Sequence, residues 1–169
     1  MSILMPKSLP KIRVFLGIDP GTHRVGYGAI KAEGSKFSLV EQGIIEKKEK
    51  GYAASQLPFI YKEMLSLIDR VKPDEIAVEK LFFSKNQLTA MTVAEARGVI
   101  LLAAAEKKLK IKEFTPNTVK QALSGYGSAD KKAVLKMVSL ILRLKDLKPV
   151  DDASDALAIA ITAALMGDN

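Results

Sequence analysis

Four carboxylates stand where they could do chemistry together. Asp19 closes the apolar run "FLGID", and a Pro-Gly break follows at once. An aspartate there can simply start the turn, or it can be a carboxylate held rigidly at a strand end to bind metal or phosphate. Glu79 closes a second such run, "DEIAVE". Asp152 and Asp155 are three residues apart, which puts them on one face of a helix. The stretch after them, "ALAIAITAAL", is almost wholly apolar and must be buried, so the head of that helix is anchored against the core. Capping and the helix dipole account for acids at a helix start. They explain Asp151 well and Asp152 in part; Asp155, one turn into a buried helix, needs a partner.

Gathering carboxylates is costly, since two unit charges ~4 Å apart repel by roughly 4 kcal/mol at an effective dielectric of ~20. A proton or a cation has to offset that repulsion, and an all-oxygen cluster selects Mg²⁺, with Mn²⁺ as a substitute. The chain as a whole is basic, with 26 Lys and Arg against 19 Asp and Glu and a net charge of +7. Acids concentrated at one point leave the rest of the surface more basic still. An acidic point in a basic surface suits a nuclease: lysines hold the phosphate backbone, and two cations per site activate water and stabilise the leaving oxygen.

Composition removes several alternatives. The chain has 169 residues, 48% of them hydrophobic, no cysteine and one histidine, His23. That length is one domain's worth, expected here over residues 1–169 with a short extension at 1–11. Without cysteine there is no disulfide framework, thiolate zinc site or cysteine nucleophile, which fits a reducing cytoplasm. A single histidine argues against a His-based triad or a multi-His metal site. No stretch is long and apolar enough to span a bilayer, so no membrane partner is expected.

The elements that must position the acids follow from periodicity. "KIRVFLGID", "RVGYGAIKA" and "KFSLVEQGIIE" alternate and are joined by short turns, which predicts an antiparallel meander. "ASQLPFIYKEMLSLIDRVK" has helical apolar spacing at Leu57, Ile60, Tyr61, Met64, Leu65 and Ile68, with Pro58 in its first turn. The strand "PDEIAVEK" returns after this crossover and runs parallel to the first. A long helix, "NQLTAMTVAEARGVILLAAAEKKL", carries a smooth ridge at Ala90, Ala94 and Gly98 and is apolar nearly all round. A fifth strand, "KIKEFT", and three helices complete an α/β domain with a mixed five-stranded sheet. Alternation puts Phe15, Gly17 and Asp19 on one sheet face and Ala77 with Glu79 on one face of the fourth strand. If the two strands are neighbours, Asp19 and Glu79 lie side by side at their C-terminal ends, where α/β sheets place active sites.

Four segments in order, "GIDPGTHRVGYG", "VEKLFFSKN", "TPNTVKQALSGYGSADK" and "DDASDALAIAIT", resemble the RuvC family of crossover (Holliday) junction endonucleases, over about Ile12 to Ala164. The resemblance implies an RNase H-like fold, a homodimer, Mg²⁺-dependent paired nicking of four-way DNA junctions, and delivery by a branch-migration motor. It matches the family's acids to Asp19, Glu79, Asp152 and Asp155, leaving Asp151 as a cap. It matches the junction-stacking aromatic to Phe82 and the family's lysines to Lys120 and Lys131. Lys80 stands where the family more often has glutamine.

For the remaining residues two readings stand side by side. Phe82 and Phe83 point opposite ways from an extended segment, so one can face the core while the other stacks on bases. Lys85, Lys120, Lys131 and Lys132 are either ordinary solvated charges or, near glycines that allow close backbone approach, phosphate contacts. "SGYGSADK" is also explained as a helix stop with a new N-cap at Ser128; it lacks the ending of a P-loop. A sugar-kinase or actin-type ATPase shares "GIDPGT", but it needs two lobes and a second phosphate loop. A YqgF-type RNase H-like nuclease and a non-cleaving junction-binding protein are the nearer alternatives.

Overall fold

The computed structural model describes residues 11–21, 23–47, 53–81, 87–145 and 152–167. Ten elements run in the order β1 (Ile12–Pro20), β2 (Arg24–Glu33), β3 (Lys36–Glu46), α1 (Ala53–Val71), β4 (Glu75–Glu79), α2 (Gln87–Glu106), β5 (Lys110–Phe114), α3 (Pro116–Ser124), α4 (Lys131–Leu142) and α5 (Asp152–Met166). The five strands form one sheet in the order β3-β2-β1-β4-β5. β1, β2 and β3 pair antiparallel, and β4 pairs parallel with both β1 and β5. This is the mixed sheet that the connection lengths predict.

Helices cover both sheet faces. On one face α1 and α2 pack on Leu16, Ile18, Val25, Ile76 and Val78. On the other α5 lies across β1 and β2, and α3 and α4 pack over it. α5 is buried from Ala153 to Ala163 except at Asp155, which explains its nearly uninterrupted apolar sequence.

One expectation about α1 needs correction. Pro58 is the sixth residue of the helix, not part of its first turn. It removes one backbone hydrogen bond inside the helix, and the helix continues because its inner face is held by packing. That face is formed by Ile60, Met64, Leu67, Ile68 and Val71, with Leu57, Tyr61 and Leu65 only half-buried.

α5 meets the sheet at backbone distance. A Cβ on Gly17 of β1 would overlap the carbonyl oxygen of Ala156, and one on Gly26 of β2 would overlap that of Asp152. The bare strand surface lets the helix axis come closer than side chains would permit.

At the other end of the sheet Glu75 is wholly buried. Arg13 of β1 lies 3.1 Å from its carboxylate and Lys112 of β5 lies 3.2 Å from it. Lys112 also donates to the carbonyl of Gly167, just past α5. A buried carboxylate is retained when it is paired in this way, and this one ties two strands and the end of α5 to β4.

Gly17→Ala is expected to destabilise the protein by about 1–3 kcal/mol, since α5 must lift from β1 to admit the methyl group. Urea unfolding followed by circular dichroism reads the shift in midpoint.

Candidate active site

Asp19 and Glu79 project from adjacent parallel strands. The β1–β4 register pairs Ile18 with Val78, so the two acids are the next residues along, side by side at the C-terminal edge. Both point to the α5 face, as Gly17 and Ala77 do two residues earlier. α5 begins at Asp152, and its first turn carries Asp152 and Asp155. One carboxylate oxygen each from Asp19, Asp152 and Asp155 lie within 4.8 Å of one another. Glu79 joins this group through a hydrogen bond with Asp19. The structure therefore gathers all four acids singled out by spacing.

The electrostatics reflect that crowding. Asp19 is raised from 3.8 to about 8, first by burial and then by Glu79, Asp155 and Asp152. Glu79 is raised too, mainly by burial, with Asp155 adding to the shift while its hydrogen bond to Asp19 and the charge of Lys131 oppose it. In the metal-free protein a proton is thus held between Asp19 and Glu79. An all-oxygen carboxylate set this compact fits a hard divalent cation, which would displace that proton.

Basic side chains pair with the other two acids. Lys131, the first residue of α4, lies 2.6 Å from Asp155. Burial alone would lower its pKa, but the bond to Asp155 and the charges of Asp155, Asp19 and Asp152 outweigh it and the net shift is upward. A lysine at a helix N-terminus opposes the helix dipole, so its position there is sustained by the acids it faces. Asp130, not Ser128, is the N-cap of α4, its carboxylate accepting from the backbone N–H of Ala133 at 2.7 Å. Arg24 of β2 forms an ion pair with Asp152.

A cavity of about 220 Å³ opens over the acids, lined by Asp19, Glu79, Asp155, Lys120 and Lys131. Lys120 enters from α3, whose start is set by Thr115 as N-cap and Pro116 in the first turn. The remaining wall is apolar, with Val119 and Val134 contributed by α3 and α4. Lys132, beside Lys131, is exposed. His23 is exposed in the turn after β1, and Lys80 is exposed just beyond Glu79. Phe82, Phe83, Lys85 and Asp151 lie outside the described residues.

Two residues near the acids were not singled out by the sequence. Arg24 lies two positions before Gly26 and so shares its strand face, which would have pointed it at the head of α5. Arg97 of α2 donates through Nε to the carbonyl of Glu79 at 3.1 Å and pairs with Glu113 of β5. Nothing in the helix periodicity signals that contact.

A family model described as crossover junction endodeoxyribonuclease RuvC matches residues 15–163. The chain belongs to the RuvC family. A RuvC of Halothermothrix orenii is 47% identical over 148 residues, covering 88% of this chain and 90% of its own. A RuvC of Thermotoga petrophila is 49% identical over 150 residues, covering 89% and 91%. Thermus thermophilus RuvC, solved in complex with a Holliday junction substrate, superposes with a TM-score of 0.85 at 35% identity, covering 91% of this chain and 94% of that one. The fold is thus RNase H-like, and membership of the RuvC family implies a nuclease that uses a divalent metal.

A carboxyl raised by burial and like charges favours the folded state in full below its ordinary value. That contribution is lost as pH climbs to the raised value. The metal-free protein is therefore expected to lose thermal stability between about pH 4 and about pH 8 through Asp19. Asp19→Asn should flatten that part of the profile, measured as Tm against pH with a chelator present.

Proposed function

We propose that this protein cuts four-way DNA junctions by metal-assisted hydrolysis of phosphodiester bonds, introducing paired symmetric nicks in recombination and repair. The observation that carries the reading is the meeting of Asp19, Glu79, Asp152 and Asp155 beside two lysines at the C-terminal edge of the sheet. The four acids are assigned as ligands to Mg²⁺, with two cations per site and Mn²⁺ as a substitute. Bound there, the cations would activate water and stabilise the leaving 3′ oxygen.

The chain's own residues then have distinct tasks. Strand-borne Asp19 and Glu79 fix two ligands on a rigid frame, and Asp152 and Asp155 close the set from the helix. Lys131 is already aligned on Asp155 and stands at the cavity, where it can pass to the scissile phosphate as that phosphate enters. Lys120 lines the same cavity and is assigned to the neighbouring phosphate. Phe82 and Lys85 are assigned to junction contact on the family resemblance. A pure binding protein has no use for four carboxylates in a groove meant for phosphates.

A homodimer is part of the proposal. α2 buries Ala96, Ile100, Ala103 and Ala104 against the sheet, while Met91 and Leu102 on its outer side are 66% and 54% exposed. Gly98 lies between them, exposed, with nothing within 4 Å of where its Cβ would stand. Among the described residues nothing covers Gly98, while Ala90 and Ala94 of the ridge are half-buried. A second copy on a two-fold axis would cover it and present two sites to two strands. A branch-migration motor that delivers the junction remains a family expectation. The reading places a single nuclease domain in the cytoplasm, consistent with a chain without cysteine.

End-labelled synthetic junctions with Mg²⁺, compared with linear duplexes of the same arms, test the activity. The wild type is expected to nick the junction alone, in symmetric pairs. Asp19→Asn is expected to lose cleavage and keep junction binding in a gel shift. Equal cutting of both substrates would point to a general nuclease. For the dimer, Leu102→Asp is expected to convert the species seen by light scattering from twice the chain mass to the chain mass.

A further inference from the structure

Each carboxylate of the site has its own partner in the metal-free protein. Asp19 faces Glu79, Asp155 faces Lys131, and Asp152 faces Arg24. Lys131 lines the cavity where substrate is expected, whereas Arg24, from the start of β2, is not among the residues that line it.

The backbone of Arg24 is not free to choose its direction. It is the first residue of β2, and the carbonyl of Arg24 accepts from the N–H of Gly21 at 3.0 Å, closing the turn that follows Asp19. Strand alternation then puts its side chain on the face of Gly26 and Gly28, which is the face α5 covers. Gly26 brings β2 against the backbone of Asp152 itself. The guanidinium therefore reaches the Asp152 carboxylate from a fixed base, with about half of the arginine side chain still open to solvent.

We propose that Arg24 is a positioning residue that competes with the divalent cation for Asp152 and so sets the metal affinity of the site. The inference rests on the reading of the acids as a metal site. In the metal-free protein Arg24 holds the Asp152 carboxylate and offsets its repulsion from Asp19 and Asp155. A cation that takes Asp152 as a ligand gives up that pairing, so the two states exclude one another in proportion to the strength of the ion pair. A guanidinium stays charged at every working pH. The competition by Arg24 is therefore independent of the charge state of the arginine across the working pH range. It also weakens with salt, because the pair is half-exposed.

Calorimetric titration of Mn²⁺ into the metal-free wild type, Arg24→Ala, Arg24→Gln and Arg24→Lys tests the inference on the protein alone. Arg24→Ala and Arg24→Gln are expected to bind Mn²⁺ about three- to fivefold tighter, with the same ratio at two pH values and a smaller one in high salt. Arg24→Lys, which keeps the charge, should stay near the wild type. In thermal melts the Ala and Gln variants should start from a lower metal-free Tm and gain more on adding Mn²⁺. A purely structural role would lower the Tm equally with and without the ion. Arg24→Gln preserves side-chain length and carries the measurement if Arg24→Ala misfolds. Unchanged or weaker Mn²⁺ binding by the folded variants, with normal binding by the wild type, overturns the proposal. Absence of Mn²⁺ binding in the wild type would instead overturn the metal-site reading, and the proposal with it.

Discussion

A helix can rest on a strand at backbone distance only where the strand carries no side chain, and α5 rests on β1 and β2 in this way. Gly17 and Gly26 leave no room for even a methyl group beneath Ala156 and Asp152. Everything distinctive about the site depends on that contact. Asp152 and Asp155 have short side chains and reach Asp19 only because the helix bearing them is pressed onto the sheet. With ordinary side chains between the layers, a helix and a sheet stand about 10 Å apart, and three aspartates could not bring their oxygens together across that gap.

The close approach is opposed by the charges it gathers, and the surroundings offset that repulsion separately for each acid. A proton between Asp19 and Glu79, a lysine at Asp155 and an arginine at Asp152 are three chemically different counter-charges. They respond to different conditions: the proton to pH, the arginine to salt, and the lysine to the arrival of a phosphate. The metal-free fold is held together at its most strained point by groups that give way when the working ligands arrive. Glu75, at the other end of β4, is the contrasting case. It is also a buried carboxylate, but Arg13 and Lys112 close on it.

Much of this was legible in the sequence. Period-two alternation gave the faces of β1 and β4, and connection lengths gave the pairing directions, because both are local consequences of backbone geometry. Asp155 stood out because an acid one turn into a buried helix has no local explanation. The failures were also local in origin. Pro58 was expected in the first turn of α1, yet it is the sixth residue, and packing of Ile60, Met64 and Leu67 carries the helix through it. Ser128 and Asp130 are both good caps, and only the docking of α4 on α5 selects between them. Arg24 was missed because its role depends on which helix covers β2, and Arg97 because it binds a backbone carbonyl, which no side-chain pattern reveals.

The seating of α5 also bears on how such a chain can change over time. The place of Asp152 is set by notches in the sheet beneath it and by the anchor at Gly167 at the far end of the helix. A side chain gained at Gly17, Gly26 or Gly28 would shift the helix that carries two of the four acids, so these glycines are constrained by the chemistry although they take no part in it.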